Sequence, residues 1–281
     1  MPDILALRLP ATPRVRNAGW VVLPILVIAV LFFYPLALIV RQAFAGDAGA
    51  AAIQPFLDVL HSRYFGHALL NTVEIATAAT AGCLVLALIL TFVPFPGCVL
   101  AGRLVDTFIA LPTFLVTLAF TFIYGSAGIL NSLLQQHFGF AQPPVQFLYS
   151  AWGVIFAEIT VYLPFVLRPL LASLSLMDPS QIEVASTLGA RPWRIMRQII
   201  LPAAFPALIA GGSLCLLLTI NEFGVVLFIG AKGVTTLPLL IYSKAIQESD
   251  YQAACIIAVI NIVLSLGLFG LYRAAARRLG A

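Results

Sequence analysis

The chain has 281 residues, 62% of them hydrophobic and only 9% charged, with a formal net charge of +4. A water-soluble domain carries about 25% charged residues, so this composition excludes a soluble globular protein and makes the bilayer the solvent. The basic residues are scattered between apolar runs rather than gathered on one face, so no nucleic-acid partner is expected.

Near the start, Arg8, Arg14 and Arg16 precede a run from Asn17 to Val40 without a formal charge. Its apolar core, from Trp20, exceeds the 7–15 residues of a signal-peptide core and no small-residue cleavage site follows, which predicts a retained first span. A crossing needs about 20 apolar residues. Six stretches qualify, roughly 20–41, 69–93, 104–125, 150–173, 203–228 and 251–273. Pro35, Pro112 and Pro164 lie inside them and are tolerable within a bundle.

With both termini inside, the cytoplasmic segments hold Arg8, Arg14, Arg16, Arg103, Arg191, Arg194, Arg197, Arg273, Arg277 and Arg278. The outer segments hold Arg41, Arg63, Lys232 and Lys244, and Arg168 lies within the fourth span. This asymmetry predicts cytoplasmic termini. Between spans, Ile53–Tyr64 reads as a surface helix and Asn131–Pro144 as an outer loop. Cys83, Cys98, Cys215 and Cys255 lack metal or disulfide spacing, and the three histidines are equally scattered, so no metal site is expected.

The fourth-to-fifth connection, MDPSQIEVASTLGARPWRIMRQIILPAAFPALIAGG, carries strong local signals. Asp178 is a good N-cap, Pro179 suits the first helical position, and Gln181 completes a capping box. Ile182, Ala185, Ser186 and Gly189 then share a small face. Gly189 suits a left-handed helix end; Pro192 can open a second helix, which Pro202 should interrupt as the fifth span begins. The prediction is a helical hairpin outside the bilayer.

Of the charges that fall within spans, where each costs at least ~2.5–3.5 kcal/mol, three are candidates for a role. Glu222 interrupts the fifth span within NEFG and reads either as part of a path or gate, with Asn221 and Gly224, or as a structural partner of a neighbouring helix. Glu158 and Arg168 read as structural. Asn71 and Thr72 are expected to make an interhelical hydrogen bond.

Glu183, Ala185, Gly189, Ile199, Leu201 and Pro202 resemble the EAA loop of binding-protein-dependent ABC importer permeases, with Val184 where a second alanine is usual. The stretches ALLNTVEIA (68–76), FVPFPG (92–97), YGSAGILN (124–131), YLPFVLRPLLA (162–172), LTINEFG (218–224) and FIGAKGVTTLP (228–238) extend the likeness over about 20–275. Within that family the chain is most like permeases of 2-aminoethylphosphonate importers. The resemblance implies an all-α, MetI-like membrane fold with six transmembrane helices. It divides the chain into a tail 1–19, a transmembrane domain 20–275 with coupling loop 178–202, and a tail 276–281.

The resemblance also implies a coupling helix docked on a cytoplasmic ABC ATPase dimer, a second permease subunit forming a heterodimer, and a soluble solute-binding protein. Asn221, Glu222 and Gly224 would lie near the path. The chain has no GxxxxGK[ST] phosphate loop, so ATP and Mg belong to a separate subunit and no cofactor is expected here. Permeases for thiamine, ferric iron, sulfate or polyamines are the nearest alternatives. An ion-coupled secondary transporter is a rival of another class; an intramembrane enzyme lacks any HExxH, GxSxG or paired-carboxylate arrangement.

Overall fold

A computed structural model of the chain describes residues 18–45, 53–92 and 98–280. The expected tail, with Arg8, Arg14 and Arg16, and most of FVPFPG lie outside the described residues. Within them the chain forms helices and turns, with no strand.

The helices in order are α1 (Ala18–Ile28), α2 (Tyr34–Ala43), α3 (Gln54–His61), α4 (Arg63–Phe92), α5 (Cys98–Ala110), α6 (Thr113–Tyr124) and α7 (Ile129–Phe138). They are followed by α8 (Ala151–Ser175), α9 (Ser180–Thr187), α10 (Pro192–Ile195), α11 (Leu201–Ile220), α12 (Gly224–Ile229), α13 (Leu237–Tyr242) and α14 (Tyr251–Gly280). Six helical segments are long and apolar enough to cross a membrane: Val22–Ala43, Arg63–Phe92, Thr113–Phe138, Ala151–Ser175, Pro192–Ile220 and Tyr251–Arg278.

Proline placement explains much of the segmentation. Proline lacks an N–H and its ring crowds the carbonyl four residues back. A π turn at Ala29–Phe33 widens the helix just before Pro35 and joins α1 to α2. Pro112 separates α5 from α6, because the residue before a proline is steered away from helical geometry. The third crossing therefore begins at Thr113, not near residue 104. Asn131–Pro144 is likewise not simply a loop: its first part belongs to α7. Asn131 is buried there, donating to the carbonyls of Gly125 (2.9 Å) and Val145 (2.8 Å) and accepting the Val145 amide at 2.9 Å. One side chain thus closes the whole turn.

The centre of the bundle is α8, packed against α4 and α11, which also pack on each other. Small residues permit this: Ala79, Cys83, Ala157, Ala204 and Cys215 are buried in the shared core. Close backbone approach, rather than hydrophobic transfer alone, is what joins helices in lipid. Around this triple, α2 lies on α14, α14 on α11 and α13, and α12 on α6. At the tightest α8–α11 crossing a Cβ on Gly211 would lie 3.0 Å from Val166 Cα. Gly211→Val is expected to cost about 1–3 kcal/mol by overpacking, read as a lower melting temperature in detergent; an unchanged melting point would refute the close-packed crossing.

The expected bond from the second span is present. Asn71 donates to the Thr235 carbonyl at 3.1 Å, and Thr72 Oγ1 accepts the Leu237 amide at 2.8 Å. Together they pin the segment before α13 onto α4. The surface helix expected at 53–64 is α3, whose Phe56 stacks on Phe44 at 4.7 Å. Cys83, Cys215 and Cys255 are free thiols.

Candidate functional site

The connection from α8 to α11 folds as two arms around Gly189. Asp178 Oδ1 accepts the Ser180 amide at 2.9 Å and the Asp178 carbonyl accepts the Gln181 amide, so Asp178 caps α9 as expected. No hydrogen bond from the Gln181 side chain back to Asp178 is present, so the capping box is half made. At the other end Gly189 has φ +78°. The Ala190 amide reaches the Ala185 carbonyl (3.0 Å) and the Gly189 amide that of Ser186 (3.0 Å). This paired pattern is the Schellman termination.

The Ser180 amide, and secondarily its hydroxyl, hold the Asp178 carboxyl below the usual carboxylate range. A carboxyl whose value falls on folding contributes fully above its unfolded value and loses that contribution as pH falls through the lowered one. Limited proteolysis of the hairpin should therefore quicken below the usual carboxylate range in the parent. Asp178→Asn, which retains a capping oxygen, should abolish that acid step; a persistent step would assign it to another group.

The second arm departs from expectation. Pro202 does not interrupt it: α10, a π turn at Met196–Ile200 and α11 form one continuous membrane-length segment, Pro192–Ile220. The Leu201 amide bonds the Met196 carbonyl, five residues back, so the widened turn absorbs the missing proline donor. Ile199, Leu201 and Pro202 therefore sit at the base of a rigid arm that runs directly into the fifth crossing. Glu183 is exposed in the first turn of α9, where the helix dipole favours an acid.

The face presented outward also differs from the sequence reading. Ile182 and Ala185 are half-buried, whereas Val184 (57%), Leu188 (82%) and Trp193 (74%) stand exposed. Val184 and Leu188 lie outside the bilayer-length helices and Trp193 at the very start of one, and apolar exposure there marks a contact surface. Sequence reasoning gave Val184 no role beyond replacing an alanine and missed Leu188 and Trp193, although Val184 and Leu188 are spaced i, i+4. Arg191, Arg194 and Arg197 are exposed beside them.

Deep in the bundle the NEFG segment breaks the fifth helix, because side chains take over backbone partners there. Asn221 Nδ2 donates to the Leu217 carbonyl at 2.8 Å, and the Glu222 amide turns back to Thr219. Glu222 Oε1 accepts the Val225 amide at 2.8 Å, starting α12. Its other oxygen accepts the Tyr162 hydroxyl of α8. Asn261 of α14 donates to Asn221 Oδ1 at 3.0 Å. A Cβ on Gly224 would lie 3.2 Å from Glu222 Oε1 and 3.3 Å from Thr113 Oγ1, so glycine there admits both α6 and the carboxylate.

The structure thus brings Asn221, Glu222 and Gly224 together, with Glu222 only 7% exposed and Asn221 exposed. Glu158, 1% exposed, shares this core with Tyr162, Cys83 and Cys215. Tyr162 and Asn261 are the residues sequence reasoning missed. Tyr162 sits inside a stretch quoted only for family likeness, and nothing local marks it as the partner of a residue sixty positions away. Arg168 is exposed on α8. Among the described residues no group of three or more His, Cys, Asp or Glu could hold a metal.

A bundle of six crossings, a capped hairpin outside them that continues rigidly into one crossing, and a break inside that same crossing define a transport permease. Residues 84–281 match the family of binding-protein-dependent transport system inner membrane components, and the chain belongs to that family. It is a multi-pass inner-membrane permease subunit of an ABC importer. A Salmonella typhimurium protein provisionally named as the 2-aminoethylphosphonate transport system permease protein PhnU is 63% identical over 284 residues, covering 100% of this chain and 99% of that one. The sulfate transport system permease protein CysT of the same organism is 34% identical over 185 residues, 65% of each chain. The crystal structure of a bacterial ABC transporter that imports alginate aligns with TM-score 0.75 over 93% of this chain and 94% of the other. At 18% identity that likeness shows the fold alone.

Proposed function

We propose that the chain forms half of an ATP-gated path for 2-aminoethylphosphonate. The observation that carries the solute reading is the 63% identity along the entire chain, against 34% over part of it for a sulfate permease. Both termini and the hairpin face the cytoplasm, in accord with the arginine asymmetry. A separate ABC ATPase dimer holds ATP and Mg and grips the hairpin; a distinct second permease completes the pore, and a soluble binding protein delivers the solute.

Supporting this, the hairpin is an exposed, doubly terminated helical unit with Val184, Leu188 and Trp193 outward, the geometry of a helix that enters a groove. Glu183, Ala185 and Gly189 build its first arm; Ile199, Leu201 and Pro202 stiffen its second. Closure of the ATPases moves the continuous Pro192–Ile220 rod, and the broken point at Asn221, Glu222 and Gly224 converts that movement into gating. ATP and the loaded binding protein must each bind the two states unequally for the cycle to turn.

The test is uptake of radiolabelled 2-aminoethylphosphonate by cells lacking or carrying the chain with its partners. Uptake should depend on the chain, stop on ATP depletion and survive dissipation of the ion gradient. Uptake of sulfate instead, or collapse with an ionophore while ATP is maintained, would overturn the reading. Leu188→Asp should lower uptake at least about tenfold by burying a charge at the ATPase contact, read beside the amount of ATPase that co-purifies; wild-type uptake would remove Leu188 from that contact.

A further inference from the structure

On the side of the bundle opposite the hairpin, a cavity of about 1040 Å³ opens between α3, the start of α4, the 233–235 segment, α13 and the start of α14. This is the upper end of the size range of small-molecule sites. Its floor leads to the break in the fifth crossing: Tyr242 lines the cavity and packs on Phe223 with ring centroids 5.1 Å apart. Phe223 directly follows Glu222.

The charged groups lining this space are not equally committed. Glu248 is held by Lys244 at 2.6 Å, and Asp250 accepts the Ala253 amide at 3.1 Å as it starts α14. Asp58, on the α3 wall, has among the described residues only a long contact from Gln54 at 3.4 Å. His67, on α4, makes no hydrogen bond or ion pair among the described residues. The lining thus carries three carboxylates, of which Asp58 is the least engaged, with an imidazole and an ammonium shared with Glu248 on other elements. The presence of both signs of charge on different elements around one cavity favours a ligand that carries both signs.

We infer that this cavity is a holding site, on the permease itself, for a small zwitterion bearing a primary ammonium and a phosphonate or phosphate a few bonds apart. The inference rests on the solute reading above and deepens it. The ammonium donates to Asp58, while the anionic oxygens accept from His67 and from Lys244, whose ammonium has donors to spare beside Glu248. Such charge-assisted bonds are the strong ones. A solute released by its binding protein would then rest directly above the Phe223–Tyr242 contact before the path opens. Phosphatidylethanolamine headgroups share this chemistry, so free solute and lipid are the two possible sources.

The test uses the full-length chain in phosphatidylglycerol nanodiscs and equilibrium binding of radiolabelled 2-aminoethylphosphonate. Saturable binding is expected, with Asp58→Asn and Lys244→Gln each weakening it at least about tenfold, the loss of one charge-assisted bond. Both side chains are at the surface, so neither change threatens folding. Ethylphosphonate and ethanolamine should compete at least about tenfold more weakly than the zwitterion. Competition by added phosphatidylethanolamine would place a lipid headgroup in the same site; its absence would assign the site to free solute. No saturable binding, or binding unchanged in both variants, overturns the inference. Cellular uptake in the same strains separates the two failures: import with unaltered binding in the variants sinks only the cavity, whereas absent import sinks the solute reading.

Discussion

Replacing Gly189 by isoleucine is expected to abolish uptake while leaving the chain inserted. At φ +78° a β-branched side chain is strained by about 1–2 kcal/mol or more. No neighbouring heavy atom lies within 4 Å of a Cβ placed there, so the damage is to backbone geometry and not to packing. Losing the left-handed turn breaks the bonds from the Gly189 and Ala190 amides and swings α9 away from α10. The six crossings do not depend on that turn. Gly189→Asn, which tolerates left-handed geometry, should retain most uptake. The readout is transport beside membrane content and ATPase co-purification. Wild-type transport in the isoleucine variant, with normal ATPase recovery, would show that the turn does not couple the two proteins.

Glu222→Ala is expected to change transport through another route. It strands the Tyr162 hydroxyl and the Val225 amide in the core, each at a cost of about 1–3 kcal/mol, and removes the side chain that starts α12. The fifth crossing should then lose its fixed break, so uptake should fall at least about tenfold across solute concentrations while ATPase assembly persists. Tyr162→Phe removes one of the two contacts and should give a smaller loss in the same direction. If the alanine variant transports at the parent rate at every solute concentration, Glu222 only secures packing between α8 and α11.

The hairpin was readable because its determinants are local. Asp178, Pro179 and Gly189 act on backbone groups within a few residues, and those preferences survive in any environment. The proline at 202 misled for the opposite reason. Its missing donor can be met by ending the helix or by widening it, and no residue preference near Pro202 selects between the two; the chain widens, at Met196–Ile200. Asn131 is a similar case: a polar residue in a polar stretch reads as loop until Gly125 and Val145 come within reach of both its donor and its acceptor atoms.

Composition, hydrophobic length and local capping residues alone determined that this protein lives in the bilayer, that it crosses six times, and that a terminated hairpin lies between its fourth and fifth crossings, since each follows from transfer free energy or from bonding within one turn. Tertiary structure alone decided where the crossings begin and break, that Glu222 answers Tyr162 across two helices, and that Asp58, His67 and Lys244 surround one cavity. Those pairings join residues tens to nearly two hundred positions apart, and no local preference encodes which distant side chain will meet a buried charge.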